Sequence, residues 1–311
     1  LYEAVQRFES EQNRVNGLNV FPVPDGDTGT NMTLTLQSAW QEVNQIPASH
    51  LGELSSLAAR GALIGARGNS GVILSQYLRG VAEAFRSLPQ AGPEDWVRAL
   101  EQASQYAYQA VSEPVEGTIL TVGRVAAEGA RAALHPGAEV SDILNGAYRA
   151  ACLALEKTPE QLGVLNQAGV VDAGGAGLLL LLQSAMAVAQ QEAVNPSLPI
   201  VHEWEPSRYV QDPHIQNHTP FQQAANIKFA YCTEFLLHSD DLPFDILKLR
   251  LQPLGDSLLV TGDSQLAKVH IHTNRPDQVL ALCLEYGNLS RVFVHNMILQ
   301  NREWTEKKHH R

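Results

Sequence analysis

The stretch Asn19-Val20-Phe21-Pro22-Val23-Pro24-Asp25-Gly26-Asp27-Thr28-Gly29-Thr30-Asn31-Met32 decides how this 311-residue sequence is read. Two carboxylates two residues apart, separated by glycine, can point into one small space, and like charges held that close call for a cation beside them. A hard ion such as Mg2+ takes carboxylate and phosphate oxygens together. Pro22 and Pro24 stiffen the approach, and Gly26 and Gly29 let the backbone come close to a phosphate. An EF-hand does not fit: Gly29 replaces the third ligand, and Leu36 stands where a bidentate Glu is needed. The plain alternative is an Asp-Gly turn that caps the next helix, with Thr28 or Thr30 as N-cap.

On either side of this stretch, from Leu1 to about Gln191, the pattern is helical. Apolar residues recur at three- and four-residue spacing, as in Leu51, Leu54, Leu57 and Ala58, and again in Val72, Ile73, Tyr77, Leu78 and Val81. Alanine is abundant and β-branched runs are rare. Glycine clusters punctuate the helices, so this half reads as an antiparallel helical bundle with short functional loops at its ends. Gly65-Ala66-Arg67-Gly68-Asn69-Ser70-Gly71 lies between two helical stretches. Free N–H groups at the second helix's N-terminus would bind an anion, with Ser70 adding a hydroxyl and Arg67 a charge. It lacks the Gly-Lys-Ser/Thr ending of a Walker A loop, and close helix packing through small residues is the alternative. Glu116-Gly117-Thr118 is a further glycine entry to a helix, for which a plain helix start is, on its own, the better reading. Asp172-Ala173-Gly174-Gly175-Ala176-Gly177 is another, equally readable as a tight turn with an Asp cap.

Residues 192–226 read as a linker, because Pro196, Pro199, Pro206, Pro213 and Pro220 interrupt any helix. A small α/β domain is expected over 227–301. Its strands fall at Ser257–Val260, Ala267–His272 and Arg291–His295, and its helices at Phe244–Leu251 and Pro276–Tyr286. Residues 302–311 read as a charged tail, loose from Glu306 to Arg311. His270 and His272, two apart on a strand, share one face. With a thiolate such as Cys232 they would suit Zn2+; the alternative is an alternating strand with half-exposed histidines and an unrelated buried cysteine. His238 and His295 are expected at the surface, and Cys152 and Cys283 in the core.

The net charge of -11 and the isoelectric point near 5.4 argue against nucleic acid as the main partner and against electrostatic docking on an anionic membrane. Three widely spaced cysteines are no disulfide framework and fit a reducing, cytoplasmic compartment. Leu1 to Arg14 carries no signal-peptide pattern. The longest apolar stretch, around Gly177 to Leu182, is too short for a transmembrane segment. A soluble protein is expected.

Residues 19–32 closely resemble the N-terminal loop of bacterial fatty acid kinases, whose nucleotide-binding domain is similar to the ATP subunit of dihydroxyacetone kinases. Gly65–Gly71, Glu116–Thr118 and Asp172–Gly177 match the family's other nucleotide loops in the same order. Tyr231–Phe235, Leu254–Ser257 and Lys268–Asn274 match its middle domain. The resemblance implies a multidomain protein: an all-α, eight-helix barrel binding ATP at one end, over residues 1–191, and then the α/β middle domain. It implies Mg2+ on Asp25 and Asp27. Asn19 stands nearest to where dihydroxyacetone kinases carry a third aspartate, and can ligate through its carbonyl oxygen. Arg67 joins Asp25 and Asp27 as a catalytic candidate. The implied nucleotide-binding residues are Asn19, Thr28, Gly29, Thr30, Asn31 and Met32 from the first loop, and Asn69, Ser70 and Gly71 from the second. Gly117, Thr118, Asp172, Gly174 and Gly175 complete the set. Cys232, His270 and His272 are implied zinc ligands.

The implied reaction is ATP plus a fatty acid, presented by a separate carrier protein, giving acyl phosphate and ADP, in a chain expected to be a homodimer. No general base stands in these loops, and a carboxylate acceptor, ionised at neutral pH with a pKa near ~4, needs none. The alternatives are a non-catalytic, nucleotide-binding dimerisation scaffold and a dihydroxyacetone kinase-type ATP subunit. The family usually continues into a third domain resembling its fatty-acid-binding partner; this sequence stops soon after Asn301, so a fragment is expected.

Overall fold

Alanine and leucine at helical spacing give the first 190 residues ten helices in the computed structural model, which describes residues 1–45, 50–190 and 227–309, with side chains through Glu306. They are α1 (Tyr2–Gly17), α2 (Thr28–Asn44), α3 (Leu51–Gly65), α4 (Gly68–Phe85), α5 (Pro93–Ala110), α6 (Ile119–Ala133), α7 (Val140–Glu156), the short α8 (Thr158–Gln161) and α9 (Gly163–Ala168), and α10 (Ala173–Ala189). Each long helix packs on the next, and α10 packs on both α7 and α1, which closes the eight long helices into a ring. Phe8, Met32, Leu36, Leu74, Val97, Ile143 and Leu178 are wholly buried inside it. Burial of such a side chain contributes about 1.5–3 kcal/mol. α10 is apolar on nearly every side, as a helix must be when neighbours cover it all round. Where α6 crosses α7, a Cβ on Gly129 would come within 2.5 Å of the Gly146 carbonyl oxygen, so this crossing is fixed by two glycines.

The second unit runs β1 (Tyr231–His238), α11 (Phe244–Leu251), β2 (Gly255–Gly262), β3 (Leu266–Thr273), α12 (Pro276–Leu284), β4 (Asn288–Asn296) and α13 (Met297–His309). The sheet order is β2-β3-β1-β4, antiparallel throughout, which is a split β-α-β arrangement. Strand alternation divides its faces. Phe235, Leu237, Val260, Val269 and Ile271 point into a core with Leu247, Leu251 and Val279 of α11 and α12. Cys232, Glu234, Lys268, His270 and His272 occupy the opposite face, which is turned toward the helical ring.

The two units are joined at several points. Leu259 packs with Ala66 and Val72 and pairs with Val111 in an isolated bridge. The Ser112 hydroxyl donates to the Leu258 carbonyl at 3.1 Å, and Arg291 donates to the Ile64 carbonyl at 3.2 Å.

Three expectations need correction. β1 is a full central strand where no strand is expected. The tail expected to be loose from Glu306 is helical as far as His309, as the end of α13; just before it, Asn301 is 1% and Thr305 3% exposed, and the Asn301 amide donates to the Pro24 carbonyl at 2.6 Å. Cys152 is half-buried rather than core, while Cys283 is buried. His238 and His295 are exposed. The expected linker, 192–226, lies outside the described residues.

Candidate functional site

Four helices begin at one place. The N-termini of α2, α4, α6 and α10 line a single cavity of about 960 Å3, and the polar face of the β-sheet forms the opposite wall. Helix starts expose backbone N–H groups and the positive end of the helix dipole, so four of them converging make an anion-binding hollow. Its size is that of a cofactor pocket.

At the start of α2, Asp25 and Asp27 are half-buried in the cavity wall. Gly26 between them has φ +70, in the left-handed region, which turns the chain so that both carboxyls face one space. Burial and the adjacent Asp27 carboxylate push Asp25 well above the ordinary carboxylate range. Burial raises Asp27 as well. Two carboxyls driven to hold protons against each other are the signature of a site that a cation would relieve, so the pair fits a divalent metal ion. Asn19 is 5% exposed; its amide donates to Asp25 Oδ1 at 2.6 Å and to the Val23 carbonyl at 3.1 Å, while its oxygen accepts from the Thr28 hydroxyl at 2.8 Å. Asn19 therefore braces Asp25; its oxygen, expected on the ion, is committed to Thr28.

At the start of α4, Gly68 has φ +57 and packs against Asn31 of α2 so closely that a Cβ would sit 2.4 Å from the Asn31 amide nitrogen. Asn69 and Ser70 line the cavity beside Arg67. At α6, Thr118 is the N-cap, its hydroxyl accepting from the Leu120 N–H at 3.4 Å. At α10, Asp172 accepts from the Gly175 N–H at 2.7 Å, and burial lifts its carboxyl to about 6.

The cavity thus brings together twelve residues anticipated from the sequence at this end of the ring: Asn19, Asp25, Asp27, Thr28, Thr30 and Asn31; Arg67, Asn69 and Ser70; Thr118, Asp172 and Gly174. Five others stand behind the wall. Met32 is wholly buried under Gly177 in the core, and Gly29 is pressed on the Gln12 carbonyl of α1. Gly71 packs on Thr35, and Gly175 on Val122 and Leu155. The Gly117 N–H is spent on the Thr121 hydroxyl at 2.8 Å. Thr30 lines the cavity, but its N–H and hydroxyl are both bound to Asn16.

The opposite wall carries Cys232, His270 and His272, whose candidate ligand atoms lie within 4.8 Å of one another. Cys232 Sγ is 3.7 Å from His270 Nδ1, and the two imidazoles are 5.1 Å apart between centroids. Burial and then His270 depress His272 to about 3, so it stands neutral, as a metal-ligating imidazole must. Burial, then the carboxylates of Glu234, Asp27 and Asp25, push the Cys232 thiol well up, and only a cation could draw off its proton. His270 Nε2 is buried without a partner among the described residues. The donor set fits a soft divalent ion such as Zn2+.

Three residues at this wall have no role that the sequence alone assigns: Glu234, Lys268 and Phe293. Burial raises Glu234, but neighbouring His270, Lys268 and Arg67 outweigh it and hold the carboxylate down at about 2. Lys268, 1% exposed, is 3.4 Å from Glu234, and burial lowers its pKa. The Arg67 guanidinium lies 3.5 Å over the Phe293 ring. The i, i+2 spacing of Cys232 and Glu234 is the one available signal, because it repeats that of His270 and His272.

Residues 22–187 match the family model described as DAK2 domain, and residues 228–304 match the one that describes the middle domain of fatty acid kinase-like proteins. The chain is 38% identical over 301 residues to Protein YloV of Bacillus subtilis strain 168, covering 94% of this chain and 53% of that protein. It is 36% identical over 315 residues to an uncharacterized protein of Staphylococcus epidermidis, covering 99% and 56%. It is 36% identical over 317 residues to another of Staphylococcus aureus, covering 100% and 56%. The chain spans about half the length of these curated relatives. No helix among the described residues is long and apolar enough to cross a membrane.

Proposed function

Because this chain belongs to the DAK2-domain family and carries a fatty acid kinase-like middle domain, we propose that it is the ATP-binding part of a phosphotransferase whose acceptor is the carboxyl group of a fatty acid. The observation that carries this reading is the convergence of four helix N-termini and the Asp25–Asp27 pair on one cavity. Asp25 and Asp27 would hold Mg2+, with Asn19 orienting Asp25. That ion would neutralise charge on the β- and γ-phosphates. The N–H groups of Asn69 and Ser70 at the start of α4 bind phosphate oxygens, Arg67 offsets their charge, and Thr118, Asp172 and Gly174 bound the nucleotide. Phosphoryl transfer depends chiefly on such positioning and charge neutralisation. An ionised carboxylate attacks without a general base, so the reaction asks nothing more of the cavity. The acid would arrive on a separate carrier protein, and the product would be an acyl phosphate. Zn2+ on Cys232, His270 and His272 would fix the sheet face opposite the nucleotide. A dihydroxyacetone kinase-type role is disfavoured by the middle domain.

Calorimetric titration of ATP, with and without Mg2+, tests the assignment on the wild type and on Asp25→Ala. Mg-dependent binding should weaken at least tenfold in the variant, the scale of a lost charged ligand. Turnover with an added carrier that survives Asp25→Ala would refute the site. Nucleotide binding with no turnover in any carrier mixture would favour the scaffold alternative.

A further inference from the structure

α4 begins without a cap of its own. Its N-cap residue is Arg67, which has no oxygen to offer and makes no side-chain cap bond. The first helical N–H, at Gly68, instead donates to Glu234 Oε2 at 3.1 Å, from β1 of the other unit. The second oxygen of the same carboxylate accepts from Arg67 Nη1 at 3.2 Å. Glu234 is 2% exposed, and the Arg67 side chain is 27% exposed into the cavity. Phe293 of β4 lies under the guanidinium. Both faces of Arg67's environment are thus set by the sheet and not by the helix that carries it. Gly68 in turn abuts Asn31, which follows the Asp25–Asp27 loop.

We infer that Glu234 is a positioning residue that completes the phosphate loop from across the interface. Its carboxylate supplies the cap that α4 lacks and fixes the Arg67 guanidinium at the cavity. This rests on the ATP reading above and adds to it that the helical unit presents an ordered phosphate loop only while the sheet is docked. Glu234 leaves the N–H groups of Asn69 and Ser70 to the ligand: capping a helix start occupies one donor of the first turn and spares its neighbours. A carboxylate serving only to neutralise buried Lys268 would not need to reach Gly68 or Arg67.

Two measurements on the full chain separate these roles. Amide hydrogen exchange across residues 66–71, without ligand, should accelerate about tenfold, the scale of one charge-assisted hydrogen bond, in Glu234→Ala, which leaves no oxygen for the Gly68 N–H. Calorimetry should show MgATP binding weakened about tenfold and MgADP less than about twofold, with Arg67 assigned to the terminal phosphate, where a guanidinium gives a charge-assisted bond. Arg67→Met should give the same split, and the double variant should be no worse than either single one. Unchanged exchange at 66–71, or equal weakening of both nucleotides, would overturn the inference. Wild-type protein that binds neither nucleotide defeats the ATP reading itself, while the exchange arm still decides whether Glu234 orders the loop. If Glu234→Ala leaves Lys268 unbalanced and does not fold, Glu234→Ala with Lys268→Met removes both buried charges and carries the same two readouts.

Discussion

Asp172 shows what one residue costs when a site is built from a buried carboxyl. It caps α10 from within the ring, accepting from the Gly175 N–H at 2.7 Å, and burial raises its carboxyl from 3.8 to about 6. Between those two values the folded chain holds a proton that the unfolded chain has released. Stability contributed by this group therefore falls as pH rises from about 4 to about 6, by about 3 kcal/mol at most. Asn in its place keeps an oxygen for the Gly175 N–H and has no proton to lose. Asp172→Asn should match the wild type near pH 4 and melt at a higher temperature above pH 6.5, as read from thermal unfolding at both pH values. Parallel pH profiles for the two proteins would contradict the assigned burial cost. The Asp172 cap was legible from its Asp-x-Gly-Gly context, as was the Asp25–Asp27 pair from its Gly26 spacer. Asn19 was legible as a member of the site but not in its task, because a hydrogen bond to Thr28 nine residues away has no local signature.

At the scale of elements, strand pairing does what sequence spacing only hints at. β1 and β3 pair so that Cys232 stands opposite His272 and Glu234 opposite His270. The i, i+2 spacing on β3 gave one face of the cluster; the partner strand was not legible, because Tyr231–His238 is buried on both faces and shows little alternation between apolar and polar residues. A metal ion on Cys232, His270 and His272 would clip these strands together, since binding free energy to the native form adds to stability. Elemental analysis of purified protein should find about one zinc per chain, and Cys232→Ser should lose most of it. Chelation should lower the wild-type melting temperature and leave that of Cys232→Ser almost unchanged. Zinc content unaffected by the substitution would sink the cluster as a metal site. The helices were more legible than the strands because the 3.6-residue period is carried within each helix, whereas the partners of a strand lie far along the chain.

The whole molecule is closed by its last described helix. α13 leaves β4 and lies across the loop that opens α2: Asn301 donates to the Pro24 carbonyl, and the Trp304 ring covers Gly26 so tightly that a Cβ there would sit 2.3 Å from it. From 302 onward the segment reads only as a charged tail, since its contacts depend on the Trp304 indole and the Asn301 amide meeting a loop 277 residues from Asn301. Only the fold supplies that meeting. Trp304 covers the turn that aims both carboxyls, so its removal tests whether docking of the second unit shapes the metal loop of the first. Trp304→Ala should cost about 1–3 kcal/mol, less than a fully buried Trp because the ring is partly exposed. It should also weaken Mg-dependent ATP binding, because Gly26 at φ +70 would lose the surface that holds it there. Thermal melting and ATP titration of the same preparation separate the two effects. A lowered melting temperature with unchanged Mg-ATP affinity would mean that α13 only stabilises. Loss of both, with MgCl2 failing to restore binding at any concentration below ~10 mM, far above the sub-millimolar range of ordinary cofactor and substrate affinities, would mean that the two units build the cation loop jointly.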